Sequence, residues 1–409
     1  MVAMRRLACL LVVTGWALPV YGDALPPSAA HALAPLAPQG RWVVRVEQRH
    51  SGYDHAYDNG GEKFPLGSKY DGLNINSTIF PALALLGSSA SLGVTTLTSK
   101  ADANRTELAV GYGVNENLTV GIITSYVTTR TTVNVSLSGG NTGWSAAFNP
   151  TTPISITNFP FAPIGGGALA PLDAAGLNQI LTAPAFGYSY TPLAGAETTG
   201  FANVMAGLLW RSLKTAQNSL ILGLAYREGL AEEDDPDNLF DFPVDDNSND
   251  LLAQVEYFHH WGQFDLRGMA KHVTQLADHV TMRVPAEGEL LSPASSKESL
   301  ERNLGDFWEY EAEMGYRWSD WRLSTTLYRW QKEADSYHSN RGQNTALLES
   351  NTAIRSDQWR LALSWSGIGQ WRQGGLPLPL VVKFEVQETY AGRNTVDVRD
   401  YYLVLTSFF

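Results

Sequence analysis

The chain has 409 residues, a formal net charge of −12, 12 tryptophans and a single cysteine. The negative charge argues against a nucleic-acid partner. Cys9 lies in an amino-terminal apolar segment, so a disulfide framework is excluded. Beyond that segment, no stretch approaches the ~20 unbroken apolar residues of a transmembrane helix.

The amino terminus predicts export. Arg5 and Arg6 precede the apolar run Leu7 to Val20, and small residues follow near Gly22, so residues 1–24 are expected to be a cleaved signal peptide. Residues 25–40 are Pro/Ala-rich and predict a flexible periplasmic arm. A lipoprotein anchor at Cys9 is the alternative, but Arg6 stands where such a signal needs an apolar residue.

Residues 41–409 repeat one pattern, in which apolar side chains occupy every second position of segments 10 to 15 residues long. The stretch "DFWEYEAEMGYRW" alternates acids with aromatic and apolar residues. A period of two indicates a strand with two different faces. About twelve such strands are predicted, joined by six long and five short connections in alternation. Long loops are expected at 51–99, 137–199, 229–249, 275–304 and 335–354.

This pattern predicts an all-β fold, a transmembrane antiparallel up-and-down β-barrel with short periplasmic turns and long extracellular loops. A soluble β-sandwich or propeller is the alternative. In the barrel the aromatic faces look at lipid, and a membrane girdle is expected at Trp308, Tyr310, Tyr316, Trp318, Trp321, Trp359, Trp365 and Phe409.

The opposite faces carry charges of both signs and are predicted to line the lumen, either as a ladder of ion pairs or as a polar path for solutes. This charged row starts at Arg45 and Glu47 and ends at Asp397 and Arg399. The predicted constriction and lumen residues are Glu309, Glu311, Glu313, Arg317, Arg322, Arg360, Lys383 and Glu385.

Several loops have distinctive compositions. Residues 232–250 are acidic, and clustered carboxylates can hold Ca²⁺ or Mg²⁺, although a solvated face is the alternative. "FPALALLG" and "NFPFAPIGGGALAPL" are apolar and suit either the collection of a hydrophobic substrate or a plug. A short helix is expected around "LDAAGLNQIL".

Three stretches together resemble the outer-membrane barrels of the meta-pathway of phenol degradation. They are "TELAVGYGVNENLTVGI", the segment from Gly200 to Asp250, and the closing "YAGRNTVDVRDYYLVLTSFF". The resemblance implies a channel for hydrophobic or aromatic small molecules. The mature arm is too short to be the amino-terminal plug of the related long-chain fatty acid channels.

We therefore expect an outer-membrane channel, passive and specific for hydrophobic or aromatic solutes. A structural or adhesive barrel acting through its loops is the alternative, and a lipid-modifying enzyme is a further one. No catalytic motif is present, so we expect no enzyme, no cofactor and no resident metal. Expected partners are outer-membrane lipid and lipopolysaccharide, the barrel-assembly machinery through Phe409, and small hydrophobic solutes.

Overall fold

The computed structural model describes residues 36–242 and 244–409, so the predicted signal peptide and most of the predicted arm lie outside the described residues. Twelve long strands follow one another along the chain. They are β1 Trp42–Tyr53, β2 Ser91–Gly113, β3 Leu118–Ser138, β4 Glu197–Lys214, β5 Asn218–Gly229, β6 Asp250–Trp261, β7 Phe264–Gln275, β8 Phe307–Trp318, β9 Trp321–Lys332, β10 Ile354–Ser366, β11 Leu380–Arg393 and β12 Arg399–Phe408.

The twelve strands close into an antiparallel barrel in chain order. β1 pairs with β2 on one side and with β12 on the other, where Glu47 lies opposite Val404. Beyond the last strand, Phe409 and Trp42 exchange backbone hydrogen bonds of 2.9 and 3.0 Å and complete the seam. In the closed wall each of the twelve strands is hydrogen-bonded to a neighbour on both sides, which is the condition for a sheet to exist in lipid. The predicted architecture is confirmed.

The connections differ between the two ends of the barrel. At one end, called the turn side here, the links are 114–117, 215–217, 262–263, 319–320 and 367–379. At the other end, the loop side, they are 54–90, 139–196, 230–249, 276–306, 333–353 and 394–398. The predicted strict alternation of long and short links is wrong at 394–398, a short link on the loop side. The link 367–379 is also longer than a tight turn, because it includes the helix Ile368–Arg372.

The barrel is apolar outside and polar inside. Along β1, Arg45 and Glu47 are buried while Trp42 and Val46 are exposed, and the same alternation recurs around the wall. Because successive side chains of a strand point to opposite faces, one alternating sequence supplies both surfaces. The charges lie on the enclosed face, where they can pair with one another.

The largest apolar core of the described residues lies above the barrel rather than inside it. Four long loop-side connections, 54–90, 139–196, 230–249 and 276–306, fold together with the short link 394–398 and the ends of β2 and β3 into what we call the loop cap. Its centre includes Leu83, which is fully buried. Within the described ranges, no helix is long and apolar enough to cross a membrane.

The loop cap contains the predicted helix, α1, which spans Ala174–Thr182. The side chain of Asp173 accepts a hydrogen bond of 2.8 Å from the Gly176 backbone amide and so caps its first turn. The buried face of α1 carries Leu177, Ile180 and Leu181, at the three- and four-residue spacing of an amphipathic helix. The helix thereby places three apolar side chains toward the centre of the cap.

Candidate functional site

The three glutamates of β8 point into the barrel, and the basic side chain nearest to each of them differs. Glu309 pairs with Lys271 at 2.6 Å, and Glu313 pairs with Arg322. Glu311 is bridged by two arginines, with Arg267 at 2.5 Å and Arg360 at 2.7 Å. The structure thus brings Glu311 into contact with Arg360 and Glu313 into contact with Arg322, whereas Glu309 lies in a separate ion pair.

Arg360 connects this group to the opposite part of the wall. Its side chain lies 4.2 Å over the ring of Tyr328, and its Nε donates to Gln387 at 2.6 Å. Gln387 donates in turn to Asp400, which also accepts from Arg49 at 2.7 Å. A continuous polar chain thus links five strands, β8, β10, β11, β12 and β1.

The remaining predicted lumen residues lie nearer the turn side. Asp265 accepts from Arg317 at 2.9 Å and from Arg322 at 2.5 Å. Arg317 is more than half exposed at the barrel end, unlike the buried Arg360. Lys383 and Glu385 pair with each other at 3.0 Å on β11. All eight predicted residues are thus on the inner face, and their role as a constriction stays a prediction.

The charged row of β12 was predicted on the wrong face. Asp400 and Tyr402 are the buried, inward residues, whereas Arg399 is exposed on the outside and pairs with Glu388 at 2.7 Å. Asp397 precedes the strand and pairs with Lys63 in the loops. A displacement of one residue moves every side chain of a strand to the other face, which explains the error. Asp400 and Tyr402 are therefore interior residues that the sequence reading missed.

The predicted girdle residues occupy the outer face. Trp318 lies opposite Trp321, and Trp321 lies opposite Trp365, so one row of tryptophans crosses three strands near the turn side. Tyr316 stacks on Trp318 with 6.1 Å between ring centroids. Nearer the loop side, Trp308 stacks on Tyr310 at 5.8 Å, and Trp359 lies opposite Leu327. Phe409 lies half exposed at the seam.

A cavity of about 400 Å³ lies in the loop cap. Its walls come from all four cap loops and from the ends of β2 and β3. Most of its lining is aliphatic or aromatic, and it includes Leu73, Ile79, Phe80, Ile180, Phe186, Leu290 and Leu291. The few polar groups are Thr78, Thr95, Glu289 and the tyrosines Tyr70 and Tyr188. This cavity was not among the predicted sites, although the apolar run beginning at Phe80 pointed to it.

A polar clasp, consisting of Asp237, Arg283, Lys297 and Tyr190, joins three loops at the edge of the cavity. Arg283 lies 3.8 Å over the ring of Tyr190 and donates to Asp237 at 2.5 Å. It also donates to the Ser292 carbonyl at 2.7 Å, and Tyr190 donates to the same carbonyl at 2.8 Å. Lys297 holds the second carboxylate oxygen of Asp237 at 2.8 Å. Tyr190 and Asp237 lie two residues from the cavity-lining Tyr188 and Leu239, and the Ser292 carbonyl that the clasp binds follows Leu291. The clasp therefore ties together three of the loops that line the cavity.

The clasp also shifts the pKa values of two of its own residues, Asp237 and Tyr190. Burial opposes ionisation of Asp237, but hydrogen bonds from Lys297 and Arg283 outweigh burial, and the pKa of Asp237 lies below its ordinary value. Burial raises the pKa of Tyr190 to about 12, with Arg283 acting in the opposite direction. At neutral pH the clasp therefore contains an ionised carboxylate and a neutral phenol.

Several carboxylates of the acidic loop, residues 232–250, pair with basic side chains of the protein. Arg227 lies 3.3 Å from Asp246 and also pairs with Asp250, while Asp237 belongs to the clasp. Burial disfavours the charged form of Asp246, but Arg227 and hydrogen bonds around Ser248 hold its pKa below the ordinary range. Among residues 36–242 and 244–409, no group of three or more His, Cys, Asp or Glu side chains is arranged to hold a metal ion.

Comparison with solved structures finds the same fold in an outer-membrane channel from Pseudomonas putida F1. The two chains are 12% identical, the alignment covers 94% of this chain and 100% of that one, and the TM-score is 0.53. A toluene transporter from Ralstonia pickettii aligns over 94% of each chain with 13% identity and a TM-score of 0.37. No protein-family model and no curated protein matches the chain. The class defined by the fold is the twelve-stranded, outer-membrane type of β-barrel.

Proposed function

We propose that the protein is a passive outer-membrane channel for uncharged hydrophobic small molecules, and that it belongs with the meta-pathway barrels that its sequence resembles. The observation that carries this proposal is the apolar cavity of about 400 Å³ in the loop cap. Its volume and its lining of aliphatic and aromatic side chains with a few polar groups are typical of small-molecule sites. In the proposed membrane placement, the loop side of the barrel faces the cell exterior.

The cavity is suited to capture rather than to free passage. An aromatic or aliphatic solute gains free energy by leaving water for this apolar lining, at about 25 cal/mol per Å² of apolar surface buried. The barrel below it offers the opposite chemistry, because Glu311 and Arg360 meet there, both almost fully buried. The cavity therefore selects apolar solutes before they reach the polar interior.

Passage requires the interior ion pairs to separate or to shift. We propose that Glu309, Glu311 and Glu313, with Arg322 and Arg360, form the narrowest part of the path. Each carboxylate is held by a basic side chain, so charge pairing keeps the interior closed. Replacing the three glutamates by glutamine removes three negative charges and leaves their volumes nearly unchanged, which makes that variant informative.

The test is solute flux into liposomes that contain the purified protein, measured with naphthalene as an uncharged probe. Heat-modifiable migration on a gel first establishes that each variant is a folded barrel. Leu290→Trp fills the cavity and should lower naphthalene flux several-fold. Leu169→Trp makes the same change at a side chain that is 97% exposed in a cap loop and should leave flux unchanged.

The triple variant Glu309→Gln, Glu311→Gln and Glu313→Gln tests the constriction separately. Releasing Lys271, Arg267, Arg360 and Arg322 from these carboxylates should change the flux of naphthalene in the folded barrel. Equal flux in protein-free and protein-containing liposomes would overturn the channel proposal and favour a role for the loops as a binding surface. Normal naphthalene flux in Leu290→Trp would show that the solute does not pass through the cavity.

A further inference from the structure

We propose that the outer face of the barrel carries a binding site for the phosphate groups of a membrane glycolipid of the lipid A type, formed by an arginine patch of Arg329, Arg355 and Arg393. The patch lies on three adjacent strands, β9, β10 and β11, near their loop-side ends. The proposal rests on the proposed membrane placement, but it does not require that the channel conduct any solute.

The patch is an unusual concentration of positive charge on an acidic protein. Arg355 and Arg393 are direct cross-strand neighbours, and their side chains point away from the barrel. Like charges directly opposite each other in a sheet are destabilising unless an anion lies between them. Arg393 donates to the neutral amide oxygen of Asn59 at 2.7 Å, and no carboxylate in the described part of the chain pairs with it.

A single carboxylate compensates the other two arginines. Asp357 accepts from Arg329 at 2.5 Å and lies 3.1 Å from Arg355, so the three arginines and this one carboxylate together have a net charge of +2. The side chain of Asp357 is 5% exposed beneath the two guanidinium groups, which are each about half exposed. Asp357 therefore holds Arg329 and Arg355 in place while leaving donors available to a ligand.

The position of the patch favours a lipid phosphate over a soluble anion. On β10, Trp365, Leu363, Leu361 and Trp359 form the outward apolar row, and Arg355 follows it on the same face. From Trp365 to Arg355 is ten residues, and at about 3.3 Å per residue with a tilt of about 45° the vertical rise is roughly 23 Å. That rise nearly equals the ~25 Å apolar band of such barrels. The guanidinium groups thus lie at headgroup level of the loop-side leaflet.

Arginine is the side chain best matched to phosphate. Its planar guanidinium presents donors in a fork that can bind two phosphate oxygens at once. Two such groups on neighbouring strands, with Tyr390 exposed beside them, could hold one phosphate while the acyl chains lie against Leu361 and Trp359. The same lipid would satisfy both the charged and the apolar parts of this surface.

The proposal is tested by native mass spectrometry of the detergent-solubilised protein with bis-phosphorylated lipid A, and with the same lipid lacking both phosphates. The wild-type protein should retain the phosphorylated lipid and release the other. The double variant Arg355→Gln and Arg393→Gln should lower affinity for phosphorylated lipid by about tenfold or more. Arg130→Gln, at an exposed arginine paired with Glu197 on a distant part of the wall, is the matched control and should bind normally.

Asp357→Asn provides a variant with the opposite expected effect, because it raises the net charge of the patch to +3 and should strengthen binding of phosphorylated lipid. Equal binding of the two lipids to the wild type would overturn the proposal, as would equal affinity of the wild type and the double variant. Displacement of the lipid by millimolar inorganic phosphate would also overturn it, since the site would then recognise a free anion. Loss of naphthalene flux with lipid binding intact would contradict only the channel proposal.

Discussion

Arg360 donates to Glu311 over 2.7 Å across the interior of the barrel, although their strands are separated in the wall by β9. Both side chains are almost completely buried, and the ring of Tyr328 on β9 lies under the guanidinium. The contact therefore joins non-adjacent strands through the lumen. The backbone hydrogen bonds between adjacent strands would not by themselves hold the Arg360 guanidinium and the Glu311 carboxylate at this distance.

This buried pair should matter most when only one of its partners is removed. Arg360→Met leaves Glu311 with Arg267 alone, and losing one member of a buried pair typically costs about 3–5 kcal/mol. The double variant Arg360→Met and Glu311→Met should recover much of that loss, because the buried carboxylate that lost one of its two basic partners is removed as well. Urea unfolding of the folded barrel in lipid measures both free energies of unfolding.

Arg317→Met is the control for the buried pair. Arg317 is about half exposed at the turn side, so its pair with Asp265 should contribute only about 0–1 kcal/mol to the free energy of unfolding. Equal losses for Arg317→Met and Arg360→Met would show that burial does not determine the importance of these pairs.

A charged substitution should lower the free energy of unfolding only on the part of the outer face that contacts lipid. Leu361 lies between Trp359 and Trp365 on the outward face and is 48% exposed. Leu361→Arg should lower the free energy of unfolding in lipid by about 2–4 kcal/mol, the typical cost of arginine near the midplane of a barrel wall. Leu169→Arg, in the loop cap, should have almost no effect. Equal tolerance of the two changes would contradict membrane placement.

The clasp should hold the loop cap rigid. Arg283→Met removes the hydrogen bonds to Asp237 and to the Ser292 carbonyl in one change. We expect faster amide hydrogen exchange in residues 230–242 and 286–296, and weaker binding of naphthalene. Lys297→Met removes one bond to Asp237 and should produce a smaller change in the same segments. Unchanged exchange in Arg283→Met would mean that apolar packing alone holds the cap.

The clasp should also weaken in acid. The pKa of Asp237 is lower in the folded protein than in the unfolded chain, so its stabilisation is fully present above the unfolded value, near 3.9, and is lost as pH falls through the folded value. Naphthalene affinity of the wild type should therefore be constant from about pH 7 to 5 and decline below about pH 4.

Asp237→Asn is the variant that tests this pH dependence. It removes the titrating carboxylate beside Arg283, Lys297 and Tyr190, so naphthalene affinity should be lower at neutral pH and should lack the decline below about pH 4. A parallel decline in the wild type and in Asp237→Asn would assign the acid sensitivity to another group.

The barrel wall could be predicted from sequence because its signal is local. Alternation at every second residue is visible in each segment, and an inward glutamate next to an outward tryptophan, as in Glu309 and Trp308, requires no knowledge of the partner strand. Short turns such as 319–320 then show which strands are neighbours. Where the alternation is less clear, as at the start of β12, the prediction placed Arg399 inside although it lies outside.

The cavity and the ion-pair partners could not be predicted in this way. Asp237 and Arg283 are 46 residues apart, and Arg49 and Asp400 are 351 apart, so no local pattern relates them. The sequence showed that residues near Phe80 and Phe161 were apolar, but not that they would share one core with α1.

The order of polar and apolar residues along each strand was enough to determine that this chain forms a closed barrel with an apolar outer face and a charged interior. The reason is that every second side chain of a strand must point to the same face. The tertiary structure alone decided which charges neutralise one another, where the loops leave a cavity, and that Arg355 and Arg393 meet on the outer surface. Those relationships depend on strand register and loop packing, which bring together residues that are distant in the chain.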